Sequence, residues 1–341
     1  MTGGLTRRSA LYVGLAAVVA PAAHGTERAE RRETARRLAD VVSREYQDPD
    51  AARALAEAIR ARAFRGAYDD VASDEAFADM LTADLRAVVP DKHMAVAANV
   101  PAGTPDLSED PVFALRQNYG LQAVRRLGGN VGLIELNFSP NLSVSDPILD
   151  RYAAAMALVK DTRALIVDLR AHIGGDPGTV VYFVSYFFDR DPFVVNRVRY
   201  RNKPLVEFRT VASPSGVKYG EQRPVFVLVS PDTFSAGEEL AYDLQATRRA
   251  AIVGQATGGG ANPNQPYELG QGFSVFVPVG AVVNPVTGRN WEGVGVKPDV
   301  QSEPGRALDF AWRLALDAAL AQAMSEDERA SIGQAIAALP K

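Results

Sequence analysis

The residues with the clearest capacity for chemistry surround Ser235. The segment Asp232–Leu240 comes off the apolar run Val225–Val229, and this order predicts that a buried strand turns into a helix at the serine. A helix amino terminus offers unpaired backbone N–H groups and a partial positive charge, and both stabilise an oxyanion that forms beside them. Ser235 is therefore a candidate nucleophile.

The same residues also fit a purely structural role. Ser235 is followed three residues later by Glu238, which is the spacing of a capping box at the start of a helix. The nucleophile-elbow pattern Gly-x-Ser-x-Gly is not met, because Thr233 stands where its first glycine belongs. The choice between a cap and a nucleophile depends on a base and an oxyanion hole elsewhere in the chain.

Two histidines, His93 and His172, remain as candidate bases once the amino-terminal segment is set aside. A serine hydroxyl is a weak nucleophile unless a partner within hydrogen-bonding reach accepts its proton. His93 lies in Asp91–Met94, at the predicted junction of two structural units, where a cleft would form. A histidine at such a junction can equally be a surface residue or a residue held by hydrogen bonds.

The other histidine lies beside a pair of glycines. His172 follows the predicted strand Ala164–Val167 and precedes Gly174 and Gly175. Glycines let backbone N–H groups approach an anion closely, so this loop is a candidate anion-binding turn. A tight strand-to-helix turn accounts for the same residues, and neither common phosphate-loop pattern is present. Glu292 is the candidate for the carboxylate that holds an imidazole in one tautomer.

Composition places the chain among soluble, exported proteins. It has 341 residues, 47% of them hydrophobic and 23% charged, with a net charge of −4 and no cysteine. The basic residues are dispersed, so no nucleic-acid-binding surface is expected. Paired arginines precede a short apolar run in residues 1–25, which predicts an export signal peptide rather than a stable membrane span. We expect the protein to be exported by either the twin-arginine or the general secretory route, and to be periplasmic or secreted.

The predicted fold class is α/β, preceded by a helical amino-terminal domain. Apolar residues recur at helical spacing in three segments before residue 89, with Pro49 and Ser73 at helix starts. Short β-rich runs then alternate with amphipathic segments, which favours a largely parallel sheet with flanking helices. We read 27–100 as the helical domain and 101–341 as the α/β domain. Two further stretches, 193–211 and 274–279, are predicted as hairpin or edge strands added to the sheet.

In combination, these segments resemble the serine peptidase family of the carboxyl-terminal processing proteases, the tricorn core protease and the interphotoreceptor retinoid-binding protein. The segments that carry the resemblance occur in the same order: Asp91–His93, Leu127–Leu133, Asp168–Arg170, Gly174–Gly175, Thr233–Glu239, Val253–Gly260 and Trp291–Asp299. The resemblance implies a crotonase-type or ClpP-like core and a helical domain similar to that of the retinoid-binding branch, without a PDZ domain.

The resemblance also implies which branch supplies the base. The processing proteases use a lysine at the position that is Gly260 here, so their serine–lysine pair is excluded. The pattern of the tricorn-like branch, histidine with a supporting glutamate, falls on His93 and Glu292. That branch has a serine where this chain has Lys92. Relatives commonly have asparagine at the position of His172, where histidine could alter loop hydrogen bonding or simply substitute for it.

The resulting hypothesis is an exported serine endopeptidase that hydrolyses peptides or flexible protein tails, as a tail-specific protease does. Ser235 is the nucleophile, His93 the base and Glu292 the orienting acid, while the N–H groups of Ala236 and of Gly174 or Gly175 hold the oxyanion. No metal or organic cofactor is expected. The alternatives are a non-catalytic protein that binds an apolar ligand on the same fold and a hydrolase of small esters or amides.

Overall fold

The computed structural model describes residues 20–99, 107–141, 147–201 and 203–340. The helices in these ranges are α1 (Ala20–Glu45), α2 (Pro49–Phe64), α3 (Asp74–Val88), α4 (Pro111–Arg116), α5 (Pro147–Val159), α6 (Pro177–Val184), α7 (Ala236–Ala246), α8 (Ala307–Ala321) and α9 (Glu326–Ala337). The strands are β1 (Ala95–Ala97), β2 (Leu121–Leu127), β3 (Val131–Leu136), β4 (Ala164–Asp168), β5 (Val194–Tyr200), β6 (Val206–Arg209), β7 (Val225–Val229), β8 (Ala251–Gly254), β9 (Asn264–Gly270), β10 (Phe273–Pro278), β11 (Gly280–Val283) and β12 (Val300–Gln301).

Local sequence sets the starts of the amino-terminal helices. Asp48 precedes α2, and its carboxylate accepts the N–H groups of Asp50 and Ala51 at 2.9 and 2.8 Å. Ser73 caps α3 in the same way, since its hydroxyl accepts the N–H of Ala76 at 3.1 Å. Each cap supplies a partner for N–H groups that a helix start leaves unpaired. The helix starts predicted at Pro49 and Ser73 are confirmed.

A six-stranded sheet forms the centre of the α/β region, in the order β12-β8-β7-β4-β3-β2. All neighbouring pairs are parallel except β2 with β3. Alternate residues of the central strands pack on opposite faces, against α5, α6 and α7 on one side and α8 and α9 on the other. Because both faces are covered, β7 and β8 are apolar throughout and β3 and β4 nearly so, as in other parallel sheets. The predicted parallel core is confirmed.

The two predicted stretches do form antiparallel hairpin strands, but these strands belong to sheets of their own, so their predicted attachment to the central sheet is wrong. Residues 274–278 belong to the three-stranded sheet β1-β10-β9, and 194–209 belong to β11-β5-β6. Val275 and Val277 of β10 share a buried core with Leu38 of α1 and Leu81 of α3. A short alternating strand shows that one face is buried, but its sequence does not identify the surface that buries it. The helical layer is therefore completed by strands from much later in the chain.

The amino-terminal prediction is only partly within the described residues. Residues 1–19 of the predicted export signal lie outside them, and α1 begins at Ala20. None of the helices in the described ranges combines the length and the apolarity needed to cross a membrane.

Candidate active site

Ser235 lies at the turn between β7 and α7, in a strained backbone conformation. Its φ of +53° and ψ of −119° are unusual for a residue with a side chain, and such strain is concentrated at functional sites. Thr233 holds the turn that leads to it, because its buried hydroxyl donates to Leu169 O at 2.8 Å and accepts the N–H of Ser230 at 3.0 Å. The turn thus presents its serine as a nucleophile elbow does, although Thr233 replaces the elbow's first glycine.

His93 reaches this serine from the end of the helical layer. Its Nε2 atom lies 3.0 Å from Ser235 Oγ, which is hydrogen-bonding distance. The ring packs against Phe234, with the two ring centres 4.8 Å apart. The guanidinium of Arg86 donates to the carbonyl oxygens on either side of the histidine, at Lys92 and Met94. Burial, and then the charge of Arg86, lower the pKa of His93 to about 4, so the imidazole is neutral at pH 7.

Glu292 approaches His93 without a hydrogen bond to its ring. Its carboxylate accepts three backbone N–H groups, from Lys92 at 3.1 Å, Ala261 at 2.6 Å and Asn262 at 3.2 Å. Glu292 thereby ties the segment that carries His93 to the loop before β9. The predicted orienting acid, Glu292, therefore lies close to the base. It contacts the segment of His93 through the backbone N–H of the neighbouring Lys92.

A second carboxylate, Asp91, lies on the same side of the histidine and is only 2% exposed. One oxygen accepts the N–H of His93 at 3.1 Å, and the other accepts from Asn262 Nδ2 at 2.8 Å and from the Tyr46 hydroxyl at 3.4 Å. Burial, followed by the nearby charge of Glu292, raises the pKa of Asp91 to about 6. In the sequence, Asp91 stands out only as part of the motif around His93.

Asp91, His93 and Glu292 form a compact group of ionisable side chains. One carboxylate oxygen from each acid and one ring nitrogen of His93 lie within 4.8 Å of one another, and among the described residues this is the group that could hold a metal ion. Nδ1 of His93 is buried and has no hydrogen-bond partner in the described part of the chain. Both acids therefore lie close to the ring without forming a hydrogen bond to Nδ1.

The two glycines of the predicted oxyanion loop differ in their contacts. Gly174 lies against the nucleophile: a Cβ built on it would be 3.0 Å from Ser235 Cβ, and its φ of +121° suits only glycine. Its N–H donates to Nδ1 of His172 at 3.2 Å. Gly175, with a φ of +129°, pairs with Ser139 as an isolated parallel bridge. Ala236 is the first residue of α7, directly after Ser235.

Glu238, the glutamate of the predicted capping box, connects the nucleophile to the loop that follows β8. Its buried carboxylate accepts the N–H of Ser235 at 2.9 Å and those of Gly259 and Gly260 at 2.6 and 2.8 Å. It also accepts from the Thr257 hydroxyl. Its pKa is raised by burial. The capping-box pattern locates this glutamate, but the loop that it holds comes from tertiary structure.

Comparison with known proteins identifies the family of the chain. The profile of peptidase family S41 matches residues 130–302, about half of the chain, and the matched segment includes Ser235 and Glu292. The chain belongs to peptidase family S41. A second profile, the N-terminal domain of peptidase S41 in eukaryotic IRBP, matches residues 26–123 and includes His93. The family resemblance predicted from the motifs is therefore confirmed.

Among curated proteins, the chain is similar to carboxyl-terminal-processing peptidase 1 of the Arabidopsis thaliana chloroplast. The two are 27% identical over 197 residues, which cover 55% of this chain and 36% of the plant protein. The chain also resembles the carboxy-terminal-processing protease of Bartonella bacilliformis, at 24% identity over 60% of this chain and 48% of the relative. The matched region thus spans less than half the length of either relative.

Among solved structures, the chain is similar to a putative peptidase from Parabacteroides merdae, with a TM-score of 0.55 and 17% identity. That match covers 81% of this chain and 90% of the other. Together with the S41 profiles, this likeness confirms the predicted fold class, a mixed α/β core preceded by helices.

Proposed function

We propose that the protein is an exported serine endopeptidase that cleaves peptides or flexible protein tails, with Ser235, His93 and Glu292 at its active site. The observation that carries the proposal is the 3.0 Å distance between His93 Nε2 and Ser235 Oγ, at a strained serine that begins a helix. Membership of peptidase family S41 supports a serine peptidase. The sequence of residues 1–25 supports export, and we keep 27–100 and 101–341 as the two domains.

In the first step, Ser235 Oγ attacks the scissile carbonyl carbon while its proton passes to Nε2 of His93. Burial lowers the pKa of His93, so the imidazole is neutral at pH 7 and its Nε2 lone pair is available for this proton. The resulting imidazolium gains a positive charge beside Asp91 and Glu292, which stabilise it. His93 then returns the proton to the leaving amine, and water hydrolyses the acyl-enzyme by the same path in reverse.

The oxyanion of the tetrahedral intermediate is assigned to the N–H groups of Ala236 and Gly175. Of the two glycines predicted for this role, Gly174 already donates its N–H to His172. The bridge between Ser139 and Gly175 uses the carbonyl of Gly174 and the N–H of Asp176. In an extended segment the intervening N–H, that of Gly175, points to the opposite edge. Each oxyanion donor contributes roughly 10²- to 10³-fold to the rate.

An alkyl fluorophosphonate tests the nucleophile directly, because its phosphorus is attacked by an activated serine with loss of fluoride. The mature protein is labelled, digested and mapped by mass spectrometry, beside Ser235→Ala, His93→Ala and the control Ser331→Ala. Ser331 is an exposed residue of α9. We expect one adduct, on Ser235, that is lost in His93→Ala and unchanged in the control. A folded wild-type protein that gives no adduct would overturn the proposal.

Substrate class and metal dependence are tested on the same preparation. A library of short peptides and a series of simple esters separate a peptidase from a small-ester hydrolase. Dialysis against EDTA separates the proposed chemistry from a metal site at Asp91, His93 and Glu292. We expect Ser235-dependent peptide cleavage that EDTA leaves unchanged. Loss of cleavage with EDTA and its return with a divalent cation would assign the three residues to a metal instead.

A further inference from the structure

His172 has no part in the proposed proton transfer, yet it is completely buried beside the nucleophile. Both of its ring nitrogens have partners. Nδ1 lies 3.2 Å from the backbone nitrogen of Gly174, and Nε2 lies 3.1 Å from Ser139 Oγ. A buried imidazole with both nitrogens satisfied holds its neighbours in fixed positions.

The contact with Gly174 determines the tautomer of His172. A backbone N–H can only donate, so Nδ1 must accept and therefore carries no proton. The proton is on Nε2, which donates to the hydroxyl oxygen of Ser139. Burial lowers the pKa of His172 to about 3, so the ring stays neutral and keeps both bonds at ordinary pH.

The main chain of His172 contacts the nucleophile turn as well. Its carbonyl oxygen accepts the N–H of Phe234, the residue before Ser235, at 2.9 Å. Its ring also fills the space beside Gly237 in the first turn of α7, where an added Cβ would be 2.6 Å from Nδ1. One residue thus contacts the glycine loop with its ring and the serine turn with its backbone.

Ser139 completes the link, because it binds the glycine loop from the far side. Its N–H donates to Gly174 O at 3.0 Å and its carbonyl accepts the N–H of Asp176 at 2.7 Å. The hydroxyl oxygen of Ser139 accepts the hydrogen bond from Nε2–H of His172. The segment from Gly174 to Asp176 is therefore held between His172 and Ser139, with the N–H of Gly175 left on its other edge.

We infer that His172 is a positioning residue for the oxyanion hole: it fixes the Gly174–Gly175 segment against the turn of Ser235, so that the N–H of Gly175 and that of Ala236 converge. This inference rests on the proposed function. Glycines have the most freedom of any residue, so a loop of two needs such restraint. A misplacement of about 1 Å at a catalytic group can reduce a rate by about 10²-fold.

Three substitutions separate the two ring contacts. His172→Asn keeps an acceptor at the position of Nδ1, and so keeps the bond to Gly174. His172→Gln places its amide near the position of Nε2, and so keeps the contact with Ser139. His172→Ala loses both. The readouts are the second-order rate constant for labelling of Ser235 by an alkyl fluorophosphonate, kcat and KM for p-nitrophenyl acetate, and thermal unfolding of each variant.

We expect labelling to fall about 10²-fold in His172→Ala and to stay within about tenfold of wild type in His172→Asn. The loss should fall on kcat more than on KM, because the oxyanion forms only in the transition state. His172→Gln should resemble His172→Ala. If His172→Ala does not fold, the comparison of the asparagine and glutamine variants decides the question.

Equal labelling of folded asparagine and glutamine variants would overturn the inference, as would a His172→Ala protein within about threefold of wild type. These results differ from failure of the proposed function. In that case the wild-type protein itself is not labelled on Ser235, and the assignment of an oxyanion hole falls with it.

Discussion

Two histidines contact the turn that carries Ser235, and they differ in the hydrogen-bond partners of their ring nitrogens. His93 has one ring nitrogen 3.0 Å from Ser235 Oγ, while its other nitrogen has no hydrogen-bond partner among the described residues. His172 has a partner on each ring nitrogen and is completely buried. Both have a pKa well below the ordinary histidine value because of burial.

The comparison shows that burial and a lowered pKa do not identify a base. A ring whose two nitrogens are both hydrogen-bonded to fixed neighbours is held in place. It also resists protonation, because an added proton would break one of those hydrogen bonds. A ring that faces a hydroxyl and has carboxylates nearby can change its protonation state without losing a structural bond. This difference supports the proposed roles of His93 in proton transfer and of His172 in positioning.

The largest expected difference between the two is in activity. Replacing Ser235 or His93 by alanine should lower Ser235-dependent hydrolysis by about 10⁴-fold or more, as for other members of a triad. The measurement is kcat/KM on the best peptide of the library, with Ser331→Ala as control. A His93→Ala protein that keeps a tenth of the activity would remove His93 from its role as the base.

The next effect concerns the glycine loop that His172 holds. Gly174→Ala introduces a Cβ 3.0 Å from Ser235 Cβ at a φ of +121°, so either the serine or the loop must move. We expect kcat/KM to fall about 10²- to 10³-fold, the value of one oxyanion donor. Gly333→Ala is the matched control, because Gly333 is exposed and an added Cβ there meets no described residue within 4 Å. Activity within twofold of wild type would show that the loop tolerates displacement.

For stability we expect the reverse order: replacing His172 should destabilise the protein more than replacing His93. His172→Ala leaves Gly174 N–H and Ser139 Oγ without their partner and opens a cavity, so we expect the free energy of unfolding to fall by about 2–4 kcal/mol. His93→Ala removes a ring whose Nδ1 has no hydrogen-bond partner among the described residues, and it should change the free energy of unfolding by less than about 1 kcal/mol. Chemical denaturation of both variants measures the difference. Equal losses would contradict the division of roles.

Lowering the pH should reduce the free energy of unfolding because of His172. In the folded state its pKa is about 3, whereas the unfolded chain has the ordinary value of about 6.5. Between these values only the unfolded chain takes up the proton, so stability is present above pH 6.5 and is lost as the pH falls. Between pH 7 and pH 5 we expect a loss of about 2 kcal/mol from this residue. His172→Asn should remove that part of the loss, and an unchanged pH dependence in the variant would contradict it.

The smallest effect is on the pH profile of the reaction. A base is active in its neutral form, and burial lowers the pKa of His93 to about 4. We therefore expect kcat/KM to stay nearly constant from pH 8 to about pH 5.5 and to decline only below that, where an unperturbed histidine would already be protonated. A profile with its acid limb near pH 6.5 would show that His93 is more exposed to solvent during turnover.

Much of the fold follows from local patterns in the chain. The strands β3, β4, β7 and β8 were predictable because strands buried on both faces are continuous apolar runs. Asp48 and Ser73 mark helix starts by chemistry that acts over three residues. The short strands of 193–211 and 274–279 were assigned to the wrong sheet, since an alternating strand fits any apolar surface and the partner is chosen by the whole fold.

The features of the candidate site also divide into those that local sequence indicates and those that only the tertiary structure sets. Sequence alone indicated Ser235 at a helix start, an anion-binding turn at Gly174 and Gly175, and two histidines that could serve as a base, of which the family resemblance selected His93. Tertiary structure decided that Nε2 of His93 lies 3.0 Å from Ser235 Oγ, and it brought Asp91 beside Glu292. These contacts join segments far apart in the chain, so no local spacing encodes them. Hydrogen bonds act over about 3 Å, and only the packed fold sets distances that small between such segments.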